Sequence, residues 1–464
     1  MSAVVRITSF LLGLGGRQKA GGSGPISYRR KIWPLRALCL VLVCTFGLAL
    51  PSPVPLEAQT PRTITQADVD LIEQQTQQVR ELQATAPIPV GFFTRDELQS
   101  YLAQSIDDAN NPDEIQANQY VLEMLGYVEP GVDLLAVIQA VDSEQIGGFY
   151  DHEKKILRVV VDPDSSLATT RVILSHEITH ALQDQHFGLS DLEQSVKGND
   201  DADLALTALI EGDAVIEELL FARRFLSATE YAEFLADSRA GDTTALDAAP
   251  LALQRELIFP YDDGAQFVAA LVTRGGWDAV NDAWAHPPTS TAQILHPAKY
   301  RASTDPVEIS LPDLTTVAGP DWHMLRENVI GELDCNILIE QYVNAKTADT
   351  ACNGWAGDRY RALRRDADGA LLFASTWIWD NPADAAEFMD AYQQLLANRY
   401  AGGIPIDGQP ALPTGAAPTQ TVAGAWQTAN GAWYQMALRD GKRVTLVIAS
   451  DPTAAAAVSA ALRQ

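Results

Sequence analysis

Residues 171–187 read RVILSHEITHALQDQHF. Val172, Ile173, Leu174, Ile178, Ala181 and Leu182 supply apolar positions, and no Gly or Pro interrupts the run before Gly188, so a single helix is predicted. Inside it His176, Glu177 and His180 spell H-E-x-x-H. Positions i and i+4 share one helix face, a turn apart. Two imidazoles at that spacing can meet one divalent ion, and neutral imidazole suits Zn²⁺. Glu177, beside the first histidine, can reach a water held at such an ion. The chain has only 7 histidines, which makes a chance H-E-x-x-H uncommon. The plain alternative is a pair of surface histidines on an amphipathic helix. A helix this apolar is buried, however, and a buried glutamate needs a partner.

A three-ligand site needs one more group. Leu204 to Leu226, LALTALIEGDAVIEELLFARRFL, is the next long helix and is apolar on most sides. Glu211 shares a stripe with Leu204, Ala208 and Val215. A carboxylate there must be paired, neutral or metal-bound, and a His₂Glu zinc site uses one such group. The competing reading is a salt bridge from Glu211 to Arg171 or Arg223. Asp213 and His186 are weaker third-ligand candidates. His186 falls where a longer metal motif has its last histidine, but Gln183 replaces the glycine that turns the chain toward the metal. Asp184, one turn after His180, is read either as an acceptor orienting an imidazole or as a solvent-facing acid.

His176-Glu177-x-x-His180 followed by Glu211-Gly212-Asp213-Ala214 resembles the zincin metallopeptidases, and more narrowly the gluzincins, whose third ligand is a glutamate on a later helix. SHEITHALQDQHF, with GFYD before it and PPTSTAQILHP after it, also resembles a group of uncharacterised exported bacterial metallopeptidases over about residues 90–360. The resemblance implies a zinc-dependent peptidase. His176, His180 and Glu211 would bind Zn²⁺, and Glu177 would act as general base on a zinc-activated water. Zincin sites often add a donor for the developing oxyanion. Two candidates stand out: Tyr261 in PYDDG, just before an apolar helix, and His296 in ILHP, which the following proline biases toward an extended form. The alternative function is a catalytically silent binding protein on the same scaffold.

Composition narrows the class. Lys+Arg 33 against Asp+Glu 60 gives a net charge of −27, which argues against nucleic acid as a partner; the partner that the resemblance implies is a peptide or protein substrate. Basic residues from Arg6 to Arg36 precede the apolar run Ala37–Leu50, and a small-residue cleavage site follows at Ala58. This is the order of a secretory signal. At about 14 residues the run is short for a membrane span, so membrane contact is expected only if this segment stays as an anchor. The predicted location is secreted or extracytoplasmic. Cys335 and Cys352 are the only cysteines beyond that segment, and a disulfide is expected between them.

The predicted class is α+β. Residues 1–58 form a signal peptide or anchor. Residues 59–350 form a mostly helical zincin-like domain with a small hairpin or sheet, and residues 351–464 a smaller α+β domain. Ile146–Val161 reads as two strands around a turn, and its edge offers backbone groups to an extended peptide. Helices are read from Thr94 to about Ile106, over Pro112–Leu125 and over Val132–Val141, and these three are expected to pack over the H-E-x-x-H helix. A polar, acidic loop is read from Gly188 to Asp203, an apolar helix over Ala265–Val272, and Trp322 to Val343 reads as one helix. Beyond Cys352 the pattern is β-β-α-β-β-β-α, with Asp440-Gly441 as a hairpin turn.

Overall fold

Ser166 opens the H-E-x-x-H helix by accepting a hydrogen bond from the Thr169 N–H, and Gly188 closes it in a left-handed conformation, φ 69°. The helix therefore runs unbroken from Leu167 to Phe187, through Gln183. The computed structural model describes residues 64–463, apart from 95, 98–99, 102–111, 146, 161–165, 403, 407–417 and 429–430. The export segment read over 1–58, and most of a helix expected from Thr94 to Ile106, lie outside the described residues.

The N-terminal elements are α1 Gln66–Arg80, β1 Val90–Phe93, α2 Pro112–Leu125, α3 Leu134–Gln145, β2 Gly148–Asp151 and β3 Ile156–Val160. Then come α4 Leu167–Phe187, α5 Leu189–Val196, α6 Asp200–Phe225, α7 Ala228–Ala240, α8 Thr244–Ala248 and α9 Leu251–Ala285. Three short helices follow: α10 Thr291–Leu295, α11 Pro297–Arg301 and α12 Leu314–Ala318. The rest is β4 Trp322–Asn328, α13 Gly331–Tyr342, α14 Ala345–Cys352, β5 Trp355–Arg365, β6 Leu371–Trp379, α15 Pro382–Arg399, β7 Ile404–Pro405, β8 Gln420–Thr428, β9 Gly431–Asp440, β10 Arg443–Ala449 and α16 Pro452–Ala461. The α+β class holds.

The hairpin at 148–160 joins a three-stranded sheet of order β1-β3-β2, in which β1 is parallel to β3 and β2 antiparallel. This sheet, α1 and α4 share one apolar core through Ile72, Leu157, Val172, Ile178 and Phe221. Among the described residues the second sheet has seven strands in the order β4-β5-β6-β10-β9-β8-β7, with every neighbouring pair antiparallel. Its core is continuous with the helices α6 and α9, through Leu209, Phe267, Leu338 and Trp377. The disulfide is present: Cys335 on α13 bonds Cys352 on α14, and both residues are fully buried.

Several expectations need correction. The single helix read over Trp322–Val343 is strand β4 followed by α13. Trp322 to Asn328 pairs with Tyr360 to Arg365, so the large sheet begins at Trp322, before the boundary placed at 350/351. The acidic loop read after Gly188 contains α5. The helix read from Ala265 begins at Leu251 and passes through Pro260, and its real break is at Gly275 and Gly276. Of the three early helices expected over α4, the described ones, α2 and α3, pack into the larger core instead; α1 is the one that covers α4.

Where the two halves meet, acids outnumber bases. Arg326 of β4 bonds Asp200 of α6 and Tyr360 of β5. Glu256 of α9 and Asp334 of α13 face the same small cavity, and Glu256 Oε2 and Asp334 Oδ1 have no partner among the described residues. Burial, then the charge of Asp200, pushes the Glu256 carboxyl up to about 8. A carboxyl with a raised folded pKa stabilises the fold below its unfolded value, and that contribution is lost as pH rises toward the folded one. Glu256→Gln removes this loss. Its melting temperature relative to wild type is expected to climb between about pH 5 and about pH 8. Thermal melts at the two ends check this, and a constant offset would contradict it.

Candidate metal centre

Three side chains converge between α4 and α6. His176 Nε2 and His180 Nε2 are 3.1 Å apart, and Glu211 Oε2 lies 3.2 Å from the first and 3.4 Å from the second. Donors on a tetrahedral ion at about 2.0–2.1 Å stand about 3.3 Å from one another. The three atoms thus already have the spacing of one face of a zinc coordination shell. Among the described residues this is the one group of three or more His, Cys, Asp or Glu placed to hold a metal. The His₂Glu donor set fits Zn²⁺ in ligand type as well.

The electrostatics of the cluster favour positive charge among its carboxylates. Burial pushes the Glu211 carboxyl up, but the facing His180 and His176 rings outweigh it and hold it well below the usual range. Burial disfavours the His176 imidazolium, yet hydrogen bonds to Glu211 and then Glu218 outweigh it and raise its pKa well above the ordinary value. A positive charge on His176 therefore balances the carboxylates. A metal held there would take over that task and displace the proton.

Glu177 completes the group. It is 5% exposed, and its Oε2 has no hydrogen-bond partner among the described residues. Desolvation raises its pKa above that of an ordinary glutamate, partly countered by His180, His176 and a hydrogen bond from the Tyr150 N–H. That N–H belongs to the edge strand β2. Val160 N–H donates to Gly147 O, so in this register Gly148 and Tyr150 turn their backbone groups away from β3, toward α4.

The crossing of α6 and α9 sets the depth of the site. A Cβ on Gly212 would stand 2.2 Å from the Gly264 carbonyl oxygen, and one on Gly264 would stand 2.3 Å from that of Ala208. The two backbones touch, which holds Glu211 on one helix and Tyr261 on the other at the same level. The Tyr261 ring lies 6.4 Å from that of His176, centroid to centroid, and is nearly parallel to it. Gly212→Ala forces the helices apart and is expected to cost about 1–3 kcal/mol while weakening metal uptake. Urea unfolding and zinc titration check both effects; an unchanged variant would mean the helices separate freely.

The other sequence candidates are held elsewhere. His296 is not brought to the cluster: its Nε2 is 2.6 Å from Glu332 Oε1 on α13. Because α4 continues through Gln183, His186 points away, and its Nε2 meets Gln83 O at 2.7 Å. Asp213 pairs with Arg80 at 2.6 Å, and Arg171 pairs with Glu230, so neither competes for the cluster. Asp184 touches neither ring; it accepts from Tyr150 OH at 2.9 Å and Lys155 Nζ at 2.6 Å, tying the hairpin to α4.

Two contacts were missed. Glu218 Oε2 is 3.0 Å from His176 Nδ1, and Gln183 Oε1 is 2.9 Å from His180 Nδ1. The stripe Leu204, Ala208, Glu211, Val215, carried one step further, arrives at Glu218.

A family described as Domain of unknown function (DUF8575) matches residues 322–459. The match starts at the first residue of β4 and ends inside α16, so it covers the large sheet and leaves the His–Glu cluster outside. No curated protein and no solved structure matches the chain.

Proposed function

We propose that this protein is an exported zinc metallopeptidase that hydrolyses peptide bonds. The observation that carries the proposal is the converged His176, His180 and Glu211 donors with a Glu177 oxygen that has no hydrogen-bond partner among the described residues. A Zn²⁺ bound there would polarise water and the scissile carbonyl. Glu177 would accept the proton of the attacking water at Oε2 and pass it to the leaving amine. Its desolvated setting favours proton uptake over an ordinary surface glutamate. Tyr261, beside His176, would donate its phenol hydrogen to the developing oxyanion. His296 has no part in this proposal. The β2 edge would align an extended peptide by main-chain hydrogen bonds.

The compartment is part of the same proposal. The disulfide suits an oxidising environment. No helix among the described residues is long and apolar enough to cross a membrane.

The test is metal analysis of the purified chain with a broad peptide-library digest, run with and without a chelator. One zinc per chain and chelator-sensitive cleavage are expected. One zinc with no cleavage of any peptide would favour the silent binding protein, and no zinc uptake would remove the metal from the site.

A further inference from the structure

We propose that Gln183 is a positioning residue that keeps the His180 proton on Nδ1 and the Nε2 lone pair turned toward Glu211 and His176. The inference deepens the metal reading and rests on it. Ile210 stands one residue before Glu211 on α6. The Ile210 carbonyl accepts a hydrogen bond of 3.0 Å from Gln183 Nε2 in the buried interior. Only the NH₂ end of an amide can donate, so this bond fixes which way the amide lies. Gln183 is fully buried, away from bulk solvent.

The other end of the amide is an acceptor. Gln183 Oε1 stands 2.9 Å from His180 Nδ1, so that nitrogen must carry a hydrogen. A neutral imidazole has one N–H, so Nε2 is left bare. Nε2 is the atom 3.1 Å from His176 Nε2 and 3.4 Å from Glu211 Oε2. One amide thus sets the tautomer of a ligand on α4 and ties it to the backbone of α6 beside Glu211. His176 gets its orientation differently, from the Glu218 carboxylate. Glutamine is the side chain that serves both ends. An ionised glutamate would accept from Nδ1–H but face the Ile210 carbonyl without a donor, and methionine has neither group.

The test reads the ring before any metal is added. Nitrogen NMR of the histidine rings in the full chain, metal-free and at mildly alkaline pH, is expected to give His180 the Nδ1–H signature. Gln183→Met should mix the tautomers and weaken zinc binding about 10–100-fold in a competition titration against a chelator. Gln183→Glu should keep the Nδ1–H signature and bind zinc more tightly than Gln183→Met. The proposal is overturned if wild-type His180 carries its proton on Nε2. It is also overturned if Gln183→Met keeps both the wild-type signature and the wild-type zinc affinity. Should the wild type take up no zinc, the metal reading falls alone, and the ring signature still decides the role of Gln183.

Discussion

Glu177→Gln is expected to take up zinc like the wild type and to turn over peptides about 10²–10⁴-fold more slowly. The amide has nearly the shape of the carboxyl it replaces. Its oxygen can still accept from the Tyr150 N–H, so the α4–β2 contact survives. The three converging donor atoms belong to other side chains and stay in place. What the variant loses is a basic oxygen at the Oε2 position, the buried atom with no partner among the described residues. That separates chemistry from binding: kcat/KM collapses while metal content and melting temperature hold. The measurement pairs metal analysis with kcat/KM on any peptide the library digest finds. A variant that keeps kcat/KM within about twofold would deny Glu177 the base role, since general-base catalysis is worth far more than that.

What the sequence disclosed about this site was its local part. His176, Glu177 and His180 sit within two turns of one helix, so spacing alone puts them together. Glu211 was legible as a carboxylate in an apolar stripe that needed an explanation. The hairpin and the disulfide were readable for similar reasons: alternation over a few residues in one case, two lone cysteines in the other. The parts that escaped are set by distant chain. Trp322 to Asn328 is a strand because Tyr360 to Arg365 offers it a ladder, and no local pattern announces that partner. The helix read from Ala265 starts upstream, because α9 runs through Pro260, packed backbone to backbone on α6 at Gly264. The break came at Gly276, whose φ of 65° suits glycine. His296 was read from a plausible local setting, and a carboxylate on α13 claimed it.

Arg80 is the clearest case of a residue with no local signal, and its removal is expected to cost about 3–5 kcal/mol. It ends α1, 133 residues from Asp213, and both side chains have zero exposure. Two hydrogen bonds of 2.6 and 3.0 Å join them, Arg80 also donates to Asn281 at 2.9 Å, and its guanidinium lies over the Trp277 ring. In Arg80→Met the Asp213 carboxylate keeps a bond from the Trp284 indole N–H at 2.9 Å but loses its buried counter-charge. An uncompensated charge in the interior is far costlier than the net worth of the pair. Asp213 lies two residues beyond Glu211 on the same helix, so the disturbance should also reach that candidate ligand and lower zinc affinity. Asp213→Asn in the Arg80→Met background removes the stranded charge, and the double variant should be more stable than Arg80→Met alone. Urea unfolding of the two proteins makes the comparison. A loss under about 1 kcal/mol for Arg80→Met, the range of an exposed pair, would mean that water reaches Asp213 and that α1 does not seal the back of the site.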